Sequence, residues 1–437
     1  MSPTVAFTTL GCRLNQAESD LMHEELGGVG FRAAAAGDAA DVVVVNTCTV
    51  TREATKASRA AIRRAARAHP HATVVVTGCY AVSDPDEVAA IEGVDAVIGN
   101  NDKERFVASL AGRAATAPLL RIGLPSEAGP APVALPGRVR ANLKVQTGCD
   151  EWCSFCIIPT TRGDLRSLPE DDLVEGARAR VAAGAREVVL TGVHLGKYLF
   201  DQGGDERDLV RLLRRVLDID GLARLRLSSI LSRHLTAEVV ELIASEPRIC
   251  RHLHVPLQSG DDGVLAAMHR PYRIDDYVAS VERALERVPG LALATDIIVG
   301  FPGESDDAFE RTVAVVTRIG FSKLHVFRYS PRPGTAAASM GDEVHPDVKR
   351  DRSRRLIAVG NEIRARFLDA HLERPLDVLV EDERVVDGRA ISSGQTSDYV
   401  RVWFEGEGLL GSTAIVVGER VRADGIEGRL HGGGRRG

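Results

Sequence analysis

No stretch of this chain approaches the roughly 20 consecutive apolar residues that span a bilayer. Runs such as the valines from Val42 to Val45 have the length of a buried strand. The start, "MSPTVAFTTLGC", lacks the basic segment and cleavage site of a secretory leader. The expectation is a cytoplasmic protein with no membrane partner. Cysteine is scarce, at 7 in 437 residues, and the odd count argues against a closed disulfide framework. In a reducing compartment, clustered thiols more often bind metal or react. Net positive charge is absent too. At -6, any nucleic-acid role has to rest on local patches. No internal repeat is present.

What is present is an ordered change of pattern along the chain. "TVAFTTL", "DVVVVN", "TVVVT" and "DAVIG" read as buried parallel strands, with helical stretches between them. This predicts a doubly wound α/β domain over residues 1–113. A Pro/Ala/Gly-rich linker follows at 114–137. Six further strands alternate with helices over 138–370 and predict a partial parallel (β/α) barrel. Short β-runs with turn signals over 371–432 predict a small antiparallel β-barrel. The tail, 433–437, is expected to be disordered.

Three cysteines, Cys149, Cys153 and Cys156, crowd into "QTGCDEWCSFCIIP". Structural zinc and iron–sulfur clusters both ordinarily take four protein ligands. Three thiols on one loop therefore imply a cubane with one open iron, where a cofactor or substrate binds. A zinc knuckle or coincidental thiols are the alternatives. Cys250 and His194 are remote in sequence, and nothing ties them to this loop. Cys12, Cys48 and Cys79 each follow a predicted parallel strand. Such strand ends share one sheet edge, so these three can converge on one metal centre. Taken singly, each fits a small buried hydrophobe.

The spacing in "CDEWCSFC" resembles the radical S-adenosylmethionine (SAM) superfamily. That resemblance implies a SAM-binding [4Fe–4S] cluster on Cys149, Cys153 and Cys156, with the backbone of Phe155 facing the adenine. Gly192 in "LTGVHLG" and Gly300 in "DIIVGFPGESD" stand where the superfamily binds SAM, although Asp296 replaces the usual first glycine of the second motif. "TLGCRLNQAESD", "VVVNTCTVTREATKASR" and "VTGCY" resemble the N-terminal domain of the methylthiotransferases, and "GQTSDYVRV" resembles a TRAM domain. The resemblance implies that Cys12, Cys48 and Cys79 carry a second, sulfur-presenting [4Fe–4S] cluster. Asn15, Asn46 and Thr47 flank it, as hydrogen-bonders to the centre or as turn and cap residues.

Among the branches of that family, "CRLN" looks most like the one acting on N6-threonylcarbamoyladenosine 37 of tRNA. The isopentenyladenosine 37 branch usually begins "CQMN", and the branch acting on an aspartate of ribosomal protein S12 has proline where Arg13 stands. The implied partners are the tRNA anticodon loop and an electron donor such as flavodoxin or ferredoxin. Basic runs between Arg52 and Arg67, with Arg59, Arg63 and Arg64, and between Lys349 and Arg366 could meet phosphate or form solvated helix faces. Trp403, Phe404 and Tyr399 are expected in the core rather than stacked on bases. A non-catalytic iron–sulfur carrier is the alternative of a different class. It would need neither the "GFPGE" strand nor the terminal barrel.

Overall fold

In the computed structural model, residues 2–35, 37–103, 106, 138–341 and 343–436 are described. The expected linker at 114–137 lies outside the described residues. The first unit is a five-stranded parallel sheet in the order Arg32–Ala33, Thr4–Thr9, Val42–Thr47, Thr73–Gly78, Ala96–Val97. Valine dominates its centre because both faces are covered. Val43, Val45, Val74 and Val76 pack on Ala61, Ile62 and Ala65 of the helix Arg52–Ala68. Val5, Val42, Val44 and Val75 turn the other way, onto Met22 and Leu26 of the first helix, Arg13–Gly28. Each such buried side chain contributes about 1.5–3 kcal/mol.

The central unit is a six-stranded parallel arc. It runs Arg140–Lys144, Glu187–Thr191, Arg224–Leu227, His252–His254, Ala292–Val299, Lys323–Arg328. Its halves are joined by the Leu225–Ile249 and Ser229–His254 bridges. Alternation along each strand separates two environments. Leu143, Val188, Leu190, Leu225, Leu227, Leu253, Leu293 and Ile297 point outward into one large apolar core under the helices. Arg140, Asn142, Glu187, Arg226, His252, His254, Asp296 and His325 occupy the opposite register and face the inside of the arc. The lumen is therefore polar and basic, unlike the apolar-filled interior of a closed eight-stranded barrel. The first helix packs across the strands Arg140–Lys144 and Glu187–Thr191, where the arc is open.

The third unit is a closed five-stranded barrel around Val378, Val380, Val402, Phe404, Val416 and Ile426. Its pairs are antiparallel except Arg401–Glu405 with Gly425–Arg436, which run parallel. The last strand continues to Arg436, paired with Thr413. This corrects the expectation of a disordered tail from 433. Backbone pairing with the Thr413–Arg422 strand satisfies the amides, and a glycine-rich sequence does not prevent it. The loop at Thr396–Tyr399 plugs the arc from below. Arg226 donates to Thr396 O (3.2 Å) and Ser397 O (3.1 Å), and Arg224 donates to Gln395 O (2.6 Å). No described helix is long and apolar enough to cross a membrane.

A buried ion cluster fixes the first unit on the second. Arg162 donates to Glu18 (2.8 Å) and to Asn15, and Lys103 pairs with the same Glu18. Desolvation opposes ionisation of Glu18, but Arg162 and then Lys103 outweigh it and hold the carboxyl well below its ordinary range. Glu18→Ala strands two buried cations and is expected to cost about 3–5 kcal/mol, read as a lower urea midpoint. Because the folded-state Glu18 titrates below its unfolded value, this stabilisation is complete above about pH 5 and is lost as pH falls. An unchanged midpoint at pH 7 would show that the cluster does not hold the units together.

Candidate cluster and substrate site

The strand Arg140–Lys144 delivers the chain to the Cys149 loop, and buried Gln146 shapes the exit. Its Nε2 donates to Thr147 O (2.5 Å) and Gly148 O (2.7 Å), and its Oε1 accepts from the amide of His194 (2.8 Å). Gly148 has φ +70°, and an added Cβ would lie 1.7 Å from Asp164 O, so only glycine closes this turn. Ser154 anchors the middle of the loop to Met268 O and Ala267 O. Each sulfur then receives a donor. The amide of Glu151 reaches Cys149 Sγ (3.4 Å), the amide of Ile158 reaches Cys156 Sγ (3.4 Å), and the Arg270 guanidinium reaches Cys153 Sγ (3.3 Å). Donors aimed at sulfur favour its electron-rich, metal-ligating form.

The first triad is built by a different device. Parallel register aligns Thr9 with Asn46 and Asn46 with Thr77, so the strand ends that lead to the cysteines meet at one sheet edge. Gly11 lies against Cys48, where an added Cβ would stand 2.9 Å from its sulfur. Gly78, at φ +98°, passes so close that a Cβ would fall 2.3 Å from Thr47 O. Asn15 donates to Leu10 O (2.7 Å) and Thr47 O (2.9 Å), while Asn46 donates to Asn15 O (2.9 Å). These two asparagines thus tie the Cys12 and Cys48 loops to each other. Thr47 ties the next pair by donating to Thr77 O (2.5 Å).

Each triad offers the three-thiolate donor set of an iron–sulfur cage with one open iron. In neither do all three sulfurs lie within 4.8 Å of one another. A tetrahedral zinc with bonds of about 2.3 Å would draw its sulfurs to about 3.8 Å. The charges of Cys12 and Cys79 nonetheless act on Cys48, and those of Cys149 and Cys153 on Cys156, so each set is one electrostatic unit. Burial pushes Cys48 and Cys149 up to about 11 and Cys156 up to about 12, so loading releases protons. The short helix Ile158–Arg162 bridges the sets. It begins two residues after Cys156, and the thiols of Cys79 and Cys12 act on its Arg162. Asn100 spans the same gap, bonding Thr161 O (2.8 Å) and approaching Cys79 Sγ (3.8 Å).

Below the triads, the lumen gathers side chains from all three units. His254 meets Asp296 at 3.1 Å and lies edge-on to His325. Arg13, from the first helix, donates to the hydroxyl of Tyr399, from the terminal barrel, at 2.7 Å. Tyr399 stacks on His252 with centroids 4.7 Å apart and carries Arg226 and Arg140 against its ring. Sequence reasoning missed this assembly, because its members lie up to 386 residues apart.

Other expected residues are placed as follows. Phe155 packs beneath its loop with Met268, Phe301 and Tyr329. Gly192 sits beside the Cys149 loop and allows close approach of Gln146. At Gly300, a tight turn at φ +70°, Lys349 packs where a Cβ would stand and Glu304 accepts from the amide (2.6 Å). His194, remote in sequence, folds against the cluster loop, with Asp150 and Glu151 within 4.8 Å. Arg59 is engaged by Tyr80 and Glu87, whereas Arg63 and Arg64 are exposed about 16 Å along the helix from its cluster end. On the helix Pro346–Asp369, Arg352 pairs with Glu304 and Asp306, Arg355 with Glu310, and Arg354 with Asp351 of the same helix. Phe404 is core, as expected. Trp403 is not, standing between Arg401 and Arg422. Cys250 is buried against Glu187 (3.8 Å).

A parallel arc whose first strand leads into a three-cysteine loop defines a radical SAM enzyme. Residues 143–316 match the Radical SAM superfamily, and residues 4–99 match Uncharacterized protein family UPF0004. The radical SAM methyltransferase TsrM from Kitasatospora setae superposes with a TM-score of 0.57 at 17% identity, covering 77% of this chain and 74% of that one. The threonylcarbamoyladenosine tRNA methylthiotransferase MtaB of Bacillus subtilis is 38% identical over 94% of this chain and 93% of its own length. The tRNA-2-methylthio-N(6)-dimethylallyladenosine synthase of Sorangium cellulosum is 37% identical over 98% and 93%. The chain belongs to the radical SAM methylthiotransferase family, whose cofactors are two [4Fe–4S] clusters and SAM.

The two glycine turns make separable predictions. Gly148→Ala is expected to remove about half of the iron taken up on anaerobic reconstitution, and Gly78→Ala the other half, since Cβ contacts this short cannot be relieved by a side chain. Full iron in either variant would show that its turn is not needed to form the site.

Proposed function

We propose that the protein transfers a methylthio group to C2 of N6-threonylcarbamoyladenosine at position 37 of tRNA. Cys149, Cys153 and Cys156 hold the SAM-binding cluster, and Cys12, Cys48 and Cys79 hold the sulfur-presenting one. The observation that carries this reading is the helix Ile158–Arg162, which binds two incomplete thiol sets into one site. When bound, the clusters and SAM supply a radical able to break an unactivated C–H bond and the sulfur that replaces the hydrogen. The chain's own residues do the rest. Gln146, Ser154 and Arg270 set the first loop, Asn15 and Asn46 set the second, and the lumen receives the base. This arrangement gives the reason for two centres, which a non-catalytic carrier would not need.

The anticodon loop is the RNA element that presents position 37. Arg52 and Lys56 are exposed on the first turns of their helix, near the cluster edge, and suit phosphate contacts better than Arg63 and Arg64. An electron donor such as flavodoxin or ferredoxin supplies the reducing equivalents. Isopentenyladenosine 37 is the second reading, favoured by the similarity to dimethylallyladenosine synthases. The test offers reconstituted enzyme three substrates: tRNA bearing threonylcarbamoyladenosine, tRNA bearing isopentenyladenosine, and ribosomal protein S12. Mass spectrometry is expected to find the methylthio product on the first alone. Product on either of the others, with none on the first, would contradict the substrate reading and leave the two-cluster chemistry standing.

A further inference from the structure

One guanidinium in the lower lumen has no carboxylate partner among the described residues. A cavity of about 350 Å³ there is lined by Arg13, Gln16, Arg138, Arg140, Arg226 and Tyr399, among others. Arg226 is fully buried and forks onto Glu187 at 2.6 and 3.2 Å. Arg140 has Glu381 at 3.2 Å, and Arg138 has Asp20 at 2.7 Å. Asp296, the next carboxylate in the lumen, is engaged by His254. Each of these arginines thus has its own carboxylate. Arg13 has none among the described residues, and its one hydrogen bond there is to the Tyr399 hydroxyl.

Arg13 is also directed inward. Its charge acts on His252 and His325, both on the inner face of the arc, and its guanidinium lies 5.0 Å from the centre of the Tyr399 ring. With one hydrogen bond made, the guanidinium keeps further N–H donors for an anion. A guanidinium beside a phenol, an amide and two neighbouring guanidinium groups is the donor array that a planar carboxylate matches.

We propose that Arg13, supported by Arg140, Arg226 and Tyr399, binds the carboxylate of the threonyl group on the N6 substituent of the substrate base. This rests on the substrate reading above and deepens it. The base, rather than the RNA backbone, must enter the lumen, because its C2 has to reach both cluster sites. C2 and the N6 substituent lie on the same edge of adenine. The carboxylate therefore travels with the reacting carbon into the cavity, and the residue after Cys12 receives it. An isopentenyl group, uncharged and apolar, would leave Arg13 without its anion.

The experiment uses the reconstituted full chain and two anticodon stem–loops. One carries threonylcarbamoyladenosine, and the other its threoninamide analogue, of the same shape but neutral. Dissociation constants are read by fluorescence anisotropy and methylthio product by mass spectrometry. The wild type is expected to prefer the acid by about 10- to 100-fold, the worth of a charge-assisted hydrogen bond. Arg13→Gln should bring the ratio to within about threefold by weakening the acid alone, and Arg13→Lys should recover part of it. Iron content checks that each variant is folded. Equal binding of acid and amide by the wild type would overturn the inference, as would full discrimination retained in Arg13→Gln. If isopentenyladenosine alone yields product, the substrate reading falls and takes the inference with it. That outcome is distinguishable because the acid-bearing loop then yields no product with any variant.

Discussion

The site depends first on the buried pairing of Arg162 with Glu18. Arg162 closes the short helix that follows the Cys149 loop, and Glu18 lies on the helix that starts after Cys12. One guanidinium therefore fixes the distance and orientation between thiol sets on two units of the fold. Both side chains are almost completely buried, so neither can give up its partner without stranding a charge. Asn15 and Lys103 complete the cluster. A buried ion cluster of this kind is a poor source of net stability beside a hydrophobic contact, but it tolerates little displacement. That trade suits a reaction in which one carbon must reach two centres.

The same division of labour shapes the arc. Outward residues form an unbroken apolar core, which makes the frame rigid. Inward residues include arginine, histidine, aspartate and glutamate, and Arg226, Asp296 and Arg140 are each paired. The lumen is closed from one side by the first unit and from below by the loop at Thr396–Tyr399. Tyr399 adopts φ +70°, a conformation that non-glycine residues seldom take, and it places its ring among three guanidinium groups and His252. The terminal barrel is thus a wall of the lumen as well as an appended module.

Local features were legible in the sequence. Valine runs announced the parallel sheet, and the strand-to-cysteine spacing placed both triads, because those signals are carried within about ten residues. What escaped was long-range. Arg13 could be noted as a departure at the residue after Cys12, yet its meeting with Tyr399 depends on two domain interfaces. The packing of Lys349, from the helix Pro346–Asp369, against Gly300 is another long-range contact. The basic helices looked like RNA surfaces. In the helix Pro346–Asp369, acids on neighbouring elements engage Arg352 and Arg355, which a one-dimensional count cannot register.

The central claim is that two incomplete thiol sets hold two iron–sulfur clusters facing one cavity. Anomalous diffraction at the iron edge from crystals of the reconstituted protein tests it most directly. The account predicts two iron centres per chain, one on Cys149, Cys153 and Cys156 and one on Cys12, Cys48 and Cys79, both opening toward the lumen that Arg13, His254 and Asp296 line. Iron at the first set alone, or a zinc ion drawing the second set's sulfurs together, would contradict it.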